Sequence, residues 1–343
     1  MIMETNWLND RNASHNRNDS LESLLDEIAM PLAKAEEQYL KNIDLSIPRP
    51  PTLMIVGCPR SGTTLLMQQI ANSKKFSYPT NFLSRFYTAP ILGSRIQKLL
   101  FDDRYQFKNE LELMPSKELE LKSDIGKTSG VLSPHVFWYF WYNNFGFKNS
   151  TKLTQSEFQN SKLDTFKREL AGLYDESCKP FALKAMVMNW NLVELFRNNR
   201  NILLVRTKRN KFDIANSIFN ARIEHSGSPS KWWSFIPPEY EEIKDLPPMM
   251  QVAAFVISIE NALDNASQSI PNSNMIELDY KKLCSEPNEQ INKICEAYSE
   301  LGFTTSLIHG LKSQIQSELT DRDLINSWAA AFEKAESLEC FKL

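Results

Sequence analysis

Leu53-Met-Ile-Val-Gly-Cys-Pro-Arg-Ser-Gly-Thr-Thr-Leu-Leu66 reads as an apolar strand, a tight Gly/Pro loop and the start of a helix, an arrangement that turns bare backbone N–H groups toward a phosphate. Gly57 to Gly62 keeps the G-x-x-x-x-G spacing of a nucleoside-triphosphate loop, but Thr63 stands where that motif requires Lys, and Thr64 takes the Ser/Thr slot. The positive charge sits inside the loop instead, on Arg60. In an ATPase or GTPase the Lys reaches the β- and γ-phosphates and the Ser/Thr holds magnesium, so its loss argues against γ-phosphoryl chemistry. The loop therefore predicts a phosphate-bearing ligand of another kind.

A second stretch, Asn201-Ile-Leu-Leu-Val-Arg-Thr-Lys-Arg-Asn-Lys-Phe-Asp-Ile-Ala-Asn-Ser217, begins as a buried-type strand, ends in a basic cluster and re-enters helical periodicity through Ile214 and Ile218. Its rival readings are a nucleic-acid patch and a solvated surface face. A net charge of −3 leaves no broad basic field for a polyanion, so a local anion site fits better and no nucleic-acid partner is expected.

Pro59-Arg-Ser-Gly-Thr-Thr-Leu-Leu66 resembles the 5′-phosphosulfate loop of sulfotransferases that use 3′-phosphoadenosine 5′-phosphosulfate (PAPS). The resemblance implies that Arg60, Ser61, Gly62, Thr63 and Thr64 grip the donor. The second stretch is similar to the family's 3′-phosphate signature, a strand followed by Arg and, eight residues on, Ser; Arg209 and Ser217 satisfy that step, with Arg206 as the alternate contact. Asn274-Met-Ile-Glu-Leu-Asp-Tyr-Lys-Lys-Leu-Cys-Ser-Glu-Pro287 resembles the strand and Y-x-x-L-x-x-x-P element that follows in many members. What the resemblance implies is a bacterial-type member without a membrane anchor: an α/β fold like that of the P-loop NTPases, PAPS as donor, PAP as product, no required metal, and a small-molecule, glycolipid or glycan acceptor with a hydroxyl or amine. Two alternatives stay open, a nucleotide-binding module without catalysis and, less favoured, a small-molecule kinase.

Sulfuryl transfer needs the leaving oxygen steadied and the acceptor proton removed. Arg60 takes the place of the loop Lys that stabilises the leaving group in many sulfotransferases. Some branches place a catalytic Glu after the loop, where this chain reads Phe76-Ser-Tyr-Pro-Thr-Asn81, so that Glu is not carried over. His135, opening the aromatic run Val136-Phe-Trp-Tyr-Phe-Trp-Tyr142 after a Gly-rich turn, is the candidate base, balanced against a structural helix-start histidine; Asp124 is the alternative. Lys127, Arg85 and Lys184 are candidates for contacting the sulfuryl group or acceptor, Arg85 for an anionic one or, in the alternative, for pairing with a surface carboxylate. Asp279 is read as a cap rather than a magnesium ligand. The aromatic run, and Trp232-Trp233, read as core packing more readily than as a substrate wall.

Residues 1–18 are expected to form a disordered arm and 19–343 one sulfotransferase domain, with a core at 52–302, helical insertions at 75–178 and C-terminal helices at 303–343. Helices are expected at 21–30, capped by Ser20 and interrupted at Pro31, then at 64–71, 96–101, 134–144, 155–175, 211–225, 248–270 and 286–301. Strands are expected at 52–57, 180–184, 201–206 and 274–278. Strands alternating with long helical crossovers predict a parallel central sheet flanked by helices on both faces, with ligands at the strands' carboxyl ends. Residues 226–248 read as a long loop or lid. The five cysteines lack paired spacing, which predicts reduced thiols and neither disulfides nor zinc. No segment reaches the roughly 18 apolar residues of a membrane span, and the N-terminus lacks an apolar signal core, which together predict a cytoplasmic protein. The oligomeric state is not legible.

Overall fold

A computed structural model describes residues 12, 15–108, 121, 123–124, 126–148, 150–304, 306–316 and 318–342. In chain order the helices are α1 (Asp19–Leu40), α2 (Thr63–Asn72), α3 (Pro90–Phe101), α4 (Trp138–Phe145), α5 (Gln155–Gln159), α6 (Leu163–Ser177), α7 (Leu192–Asn198), α8 (Lys211–Ser226), α9 (Tyr240–Ile243), α10 (Pro248–Ser269), α11 (Tyr280–Ser285), α12 (Pro287–Glu300) and α13 (Arg322–Glu336). The strands are β1 (Thr52–Val56), β2 (Ala182–Lys184), β3 (Ile202–Lys208) and β4 (Met275–Asp279).

The strands form one parallel sheet in the order β2-β1-β3-β4. Side chains of a strand alternate between faces, and here each face has its own core. Met54, Val56, Leu183 and Leu204 belong to one apolar cluster with residues of α4, α6, α7, α8, α10 and α13. Leu53, Ile55, Ala182, Leu203 and Val205 belong to the other, with Leu66, Met67 and Ile70 of α2 and Ile291, Ile294 and Tyr298 of α12. Burial on both faces is why β1 and the first half of β3 read as unbroken apolar runs.

Several expected boundaries move. α1 is capped by Asn18, whose side chain accepts from Leu21 N, and runs through Pro31 without ending. Its far half is held by tertiary contacts: Glu36 is buried and accepts from Ile91 N and Leu92 N of α3. The helix expected at 155–175 divides into α5, started by a capping box at Thr154, and α6. Among the described residues of 303–321 there is no helix, and α13 begins only at Arg322. Residues 226–248 are no lid: Trp232, Phe235, Ile236 and Ile243 are buried, and the Trp232 ring meets Tyr240 and Phe255 at 5.0 and 5.3 Å. In the aromatic run, Phe137, Phe140 and Trp141 lie in the core.

Of the expected arm, residues 1–11, 13 and 14 lie outside the described residues. Asn12 N donates to His225 O at 2.8 Å, and the His15 ring stacks on His225 at 5.1 Å, so the described part lies along the end of α8.

Candidate functional site

Each strand delivers one residue to the same edge of the sheet. Lys184 ends β2, Arg60 lies in the loop after β1, Arg209 follows β3, and Tyr280 follows β4. The parallel register aligns these ends, with Ile55 opposite Lys184, Val56 opposite Arg206 and Lys208 opposite Asp279.

The loop from Gly57 to Gly62 bends sharply. Gly57 has φ +146° and Gly62 φ +100°, and a Cβ on Gly62 would stand 2.5 Å from Tyr280 Cδ2. Arg60 itself lies in the left-handed region at φ +70°, a strained setting for a side-chain-bearing residue. Internal bonds hold this shape. Ser61 Oγ donates to Cys58 O at 2.7 Å and shares a hydrogen bond with Thr207 Oγ1 at 2.6 Å, while Asn189 Nδ2 donates to Gly57 O at 3.0 Å. Ser61, expected to grip a donor, is therefore a brace, since its N–H is also spent on Cys58 O. Thr63 Oγ1 is likewise turned inward, to Met186 Sδ at 3.2 Å. No side chain caps α2, which leaves the N–H groups of its first turn for an anion.

The cations surround that helix start. Arg60 Nε donates to Ser217 Oγ at 2.9 Å, and Arg209 Nη1 donates to Arg60 O at 3.0 Å. Arg209 lies over the Tyr280 ring, 4.4 Å from its centroid. Lys184 Nζ donates to Thr64 Oγ1 at 2.8 Å. Lys184 is only 5% exposed, and burial, then the Arg60 guanidinium, lowers its pKa to about 7. The structure thus brings Arg60, Thr64, Lys184, Arg209 and Ser217 together. Arg206, the alternate anion contact, does not join them. Its two Nη groups are engaged by Glu260, Asp264 and Glu277 at 2.5, 2.6 and 3.2 Å. Asp279 is a cap, accepting from Lys282 N.

Across the cleft, Asp124 and Lys127 close a turn through reciprocal backbone bonds of 2.8 and 2.7 Å. A Cβ on Gly126 would stand 3.4 Å from Thr64 Oγ1, so this turn abuts the phosphate loop. His135 Nδ1 accepts from Phe137 N at 2.9 Å, which leaves the neutral ring's proton on Nε2. Burial, then Arg85, Lys184 and Lys127, lowers its pKa to about 4. His135 is therefore a hydrogen-bond donor with no free lone pair, and the expectation that it acts as a base fails on that geometry. Arg85 is exposed on the short 3-10 turn Leu83–Phe86.

Sequence reasoning missed Tyr280, Thr207 and Asn189. Tyr280 had a signal, its place directly after a strand end on the ligand edge; Asn189 and Thr207 had none. A cavity of about 350 Å³ opens elsewhere, at the strands' amino ends, where Arg49 is already paired with Asp175 at 2.7 Å.

A family model described as the sulfotransferase family matches residues 51–301. Among solved structures, the chain is similar to sulfotransferase STF9 from Mycobacterium avium, with 12% identity, a TM-score of 0.54, and coverage of 100% of this chain and 93% of that one. It is also similar to sulfotransferase STF1 from Mycobacterium tuberculosis H37Rv, with 12% identity, a TM-score of 0.48, and coverage of 92% and 81%. At such identity the first likeness speaks to the fold. Comparison with curated proteins finds no match.

Proposed function

This chain belongs to the sulfotransferase family, and from that premise we propose that it moves a sulfuryl group from PAPS to an acceptor hydroxyl or amine, releasing PAP. The observation that carries the reading is the direct linkage of the two anion motifs: Arg60 reaches Ser217, and Arg209 reaches the Arg60 carbonyl. A nucleotide with phosphates on both its 5′ and 3′ oxygens suits such a paired site. The uncapped start of α2 and the ring of cations fit the 5′ group, and Arg209 and Ser217 fit the 3′ phosphate.

The donor supplies a sulfuryl group whose bond to the phosphate oxygen breaks, leaving the electron pair on that oxygen, as an acceptor lone pair forms the new bond to sulfur. Arg60 is always charged and serves electrostatically. Lys184, with a pKa near the working range, holds or donates a proton at the leaving oxygen, beside the electrostatic stabilisation expected of Arg60. Asp124, on the turn against Thr64 and near enough to act on Arg60, is assigned removal of the acceptor proton. His135 donates from Nε2 toward the sulfuryl or acceptor oxygen.

The kinase alternative loses ground at Thr64. Its hydroxyl, the magnesium position of a triphosphate loop, already accepts from Lys184 Nζ, and Thr63 stands where that loop requires its Lys. The module without catalysis is prompted by the absent Glu after the loop, and Asp124 is the carboxylate we assign in its place. We read residues 19–343 as one domain, supported by the packing of α1 against α3 and of α13 against α10. No described helix is long and apolar enough to cross a membrane. The cytoplasmic reading is supported by the five free cysteines, Cys58, Cys178, Cys284, Cys295 and Cys340.

Calorimetric titration with PAP and with AMP tests the donor assignment. Wild type should prefer PAP, and Arg209→Ala should lose at least about tenfold for PAP and little for AMP, the difference being one charge-assisted contact. Equal affinity of the wild type for the two nucleotides would defeat it.

A further inference from the structure

The wall facing the phosphate loop carries more positive charge than the donor reading uses. Residues 79–82 and 131–135 pair antiparallel, through His135 N to Pro79 O at 2.7 Å, Asn81 N to Ser133 O at 2.9 Å and Phe82 N to Val131 O at 2.9 Å. Asn81 Nδ2 adds a bond to Gly130 O at 2.8 Å, tying the pair to the Gly-rich turn. The paired segments hold His135 and, one turn on, Arg85. The turn with Asp124 and Lys127 joins them, seated against Thr64 by the close approach of Gly126. Arg85, Lys127 and Lys184 all act on the one imidazole of His135, so the three cations share its surroundings.

Asp124, a carboxylate among the described residues of this wall, lies near enough to act on Arg60. Arg85 is exposed and, among the described residues, its side chain has no carboxylate within ion-pair reach and no hydrogen bond. A guanidinium held on a braced turn beside a reaction site, with its donors unspent, is suited to a carboxylate or phosphate oxyanion. Arg60, Lys184 and Arg209 are committed to the donor's two phosphates. Arg85 is left for the acceptor.

We propose that the acceptor carries a fixed negative charge, a carboxylate or a phosphate, close to the hydroxyl or amine that receives the sulfuryl group, and that Arg85 binds it. The proposal rests on the PAPS reading above. Acidic hydroxy compounds, such as carboxylated or phosphorylated sugars, are the substrate class, and neutral alcohols and phenols are poor acceptors. Lys127 adds to the attraction by its charge, and His135 orients the reacting oxygen from Nε2.

The test uses radiolabelled PAPS and a small-molecule extract separated on a strong anion exchanger. Acceptor activity should be retained by the resin, and Arg85→Gln should lower kcat/KM for the retained material by about tenfold or more, with Arg85→Lys keeping part of it. PAP affinity, measured by calorimetry, should be the same in Arg85→Gln as in wild type. Loss of the retained activity after phosphatase treatment assigns a phosphate; loss after carbodiimide amidation assigns a carboxylate. Acceptor activity found in the flow-through, or Arg85→Gln turning over the retained material at the wild-type rate, would overturn the proposal while leaving the donor site standing. A wild type that fails to bind PAP defeats the earlier reading instead.

Discussion

Lys184 shows how one contact changes the chemistry of a side chain. Water is removed from its ammonium and Arg60 lies nearby, and both disfavour the charged form. At about pH 8, above its pKa near 7, the amine of the empty site is mostly neutral, and a phosphate dianion placed beside it restores the charge. PAP binding should then take up close to one proton, read by calorimetry in two buffers of different ionisation heat, and Lys184→Met should abolish the uptake. Gly62 offers a steric counterpart. Gly62→Ala places a methyl 2.5 Å from the Tyr280 ring at a φ of +100°, which displaces the loop at a cost of about 1–3 kcal/mol and weakens PAP binding. Adding Tyr280→Ala should recover part of that loss if the clash is its cause, whereas no recovery leaves backbone strain as the whole effect.

At the scale of elements, the loop after β1 depends on neighbours that never touch the ligand. Ser61 and Thr207 lock it to β3, and Asn189 locks it to the segment after β2. Further out, α1 closes the N-terminus of α3 with the buried Glu36 carboxylate, which accepts two α3 N–H groups at 2.7 and 3.0 Å. Glu36→Ala leaves both donors buried without partners and should lower the unfolding free energy by about 2–4 kcal/mol, near twice the cost of one unsatisfied group. Urea denaturation checks this. A loss below the error of the extrapolation would mean that α1 does not hold α3 in place. The uninterrupted course of α1 through Pro31 belongs here too, because packing outweighs a local helix breaker when the following turns are anchored.

For the whole molecule, Glu169 links stability to pH. It is buried, receives Asn144 Nδ2 at 3.0 Å, and burial pushes its pKa up to about 8. An unfolded Glu ionises near 4.5, so between about pH 4.5 and 8 the native state holds one more proton than the unfolded state, and stability falls as pH rises, by up to about 1.4 kcal/mol per unit. Glu169→Gln should flatten that slope and be the more stable protein at pH 8; parallel stability profiles for the two proteins would refute the assignment. The sequence by itself determined the parallel sheet, the strand ends as the ligand edge, and the Arg60 loop with Arg209 and Ser217. Those features are written locally, in apolar runs, in glycine spacing and in a step of eight residues along one chain segment. Only the tertiary structure shows Arg206 paired with carboxylates, because those carboxylates come from α10 and β4. It also packed the segment around Trp232 into the core, denied His135 its lone pair, and set Lys184 on a hydroxyl 120 positions earlier in the chain. Burial, charge neighbours and hydrogen-bond partners are properties of a packed environment, and residues far apart in sequence have none of them until the chain has folded.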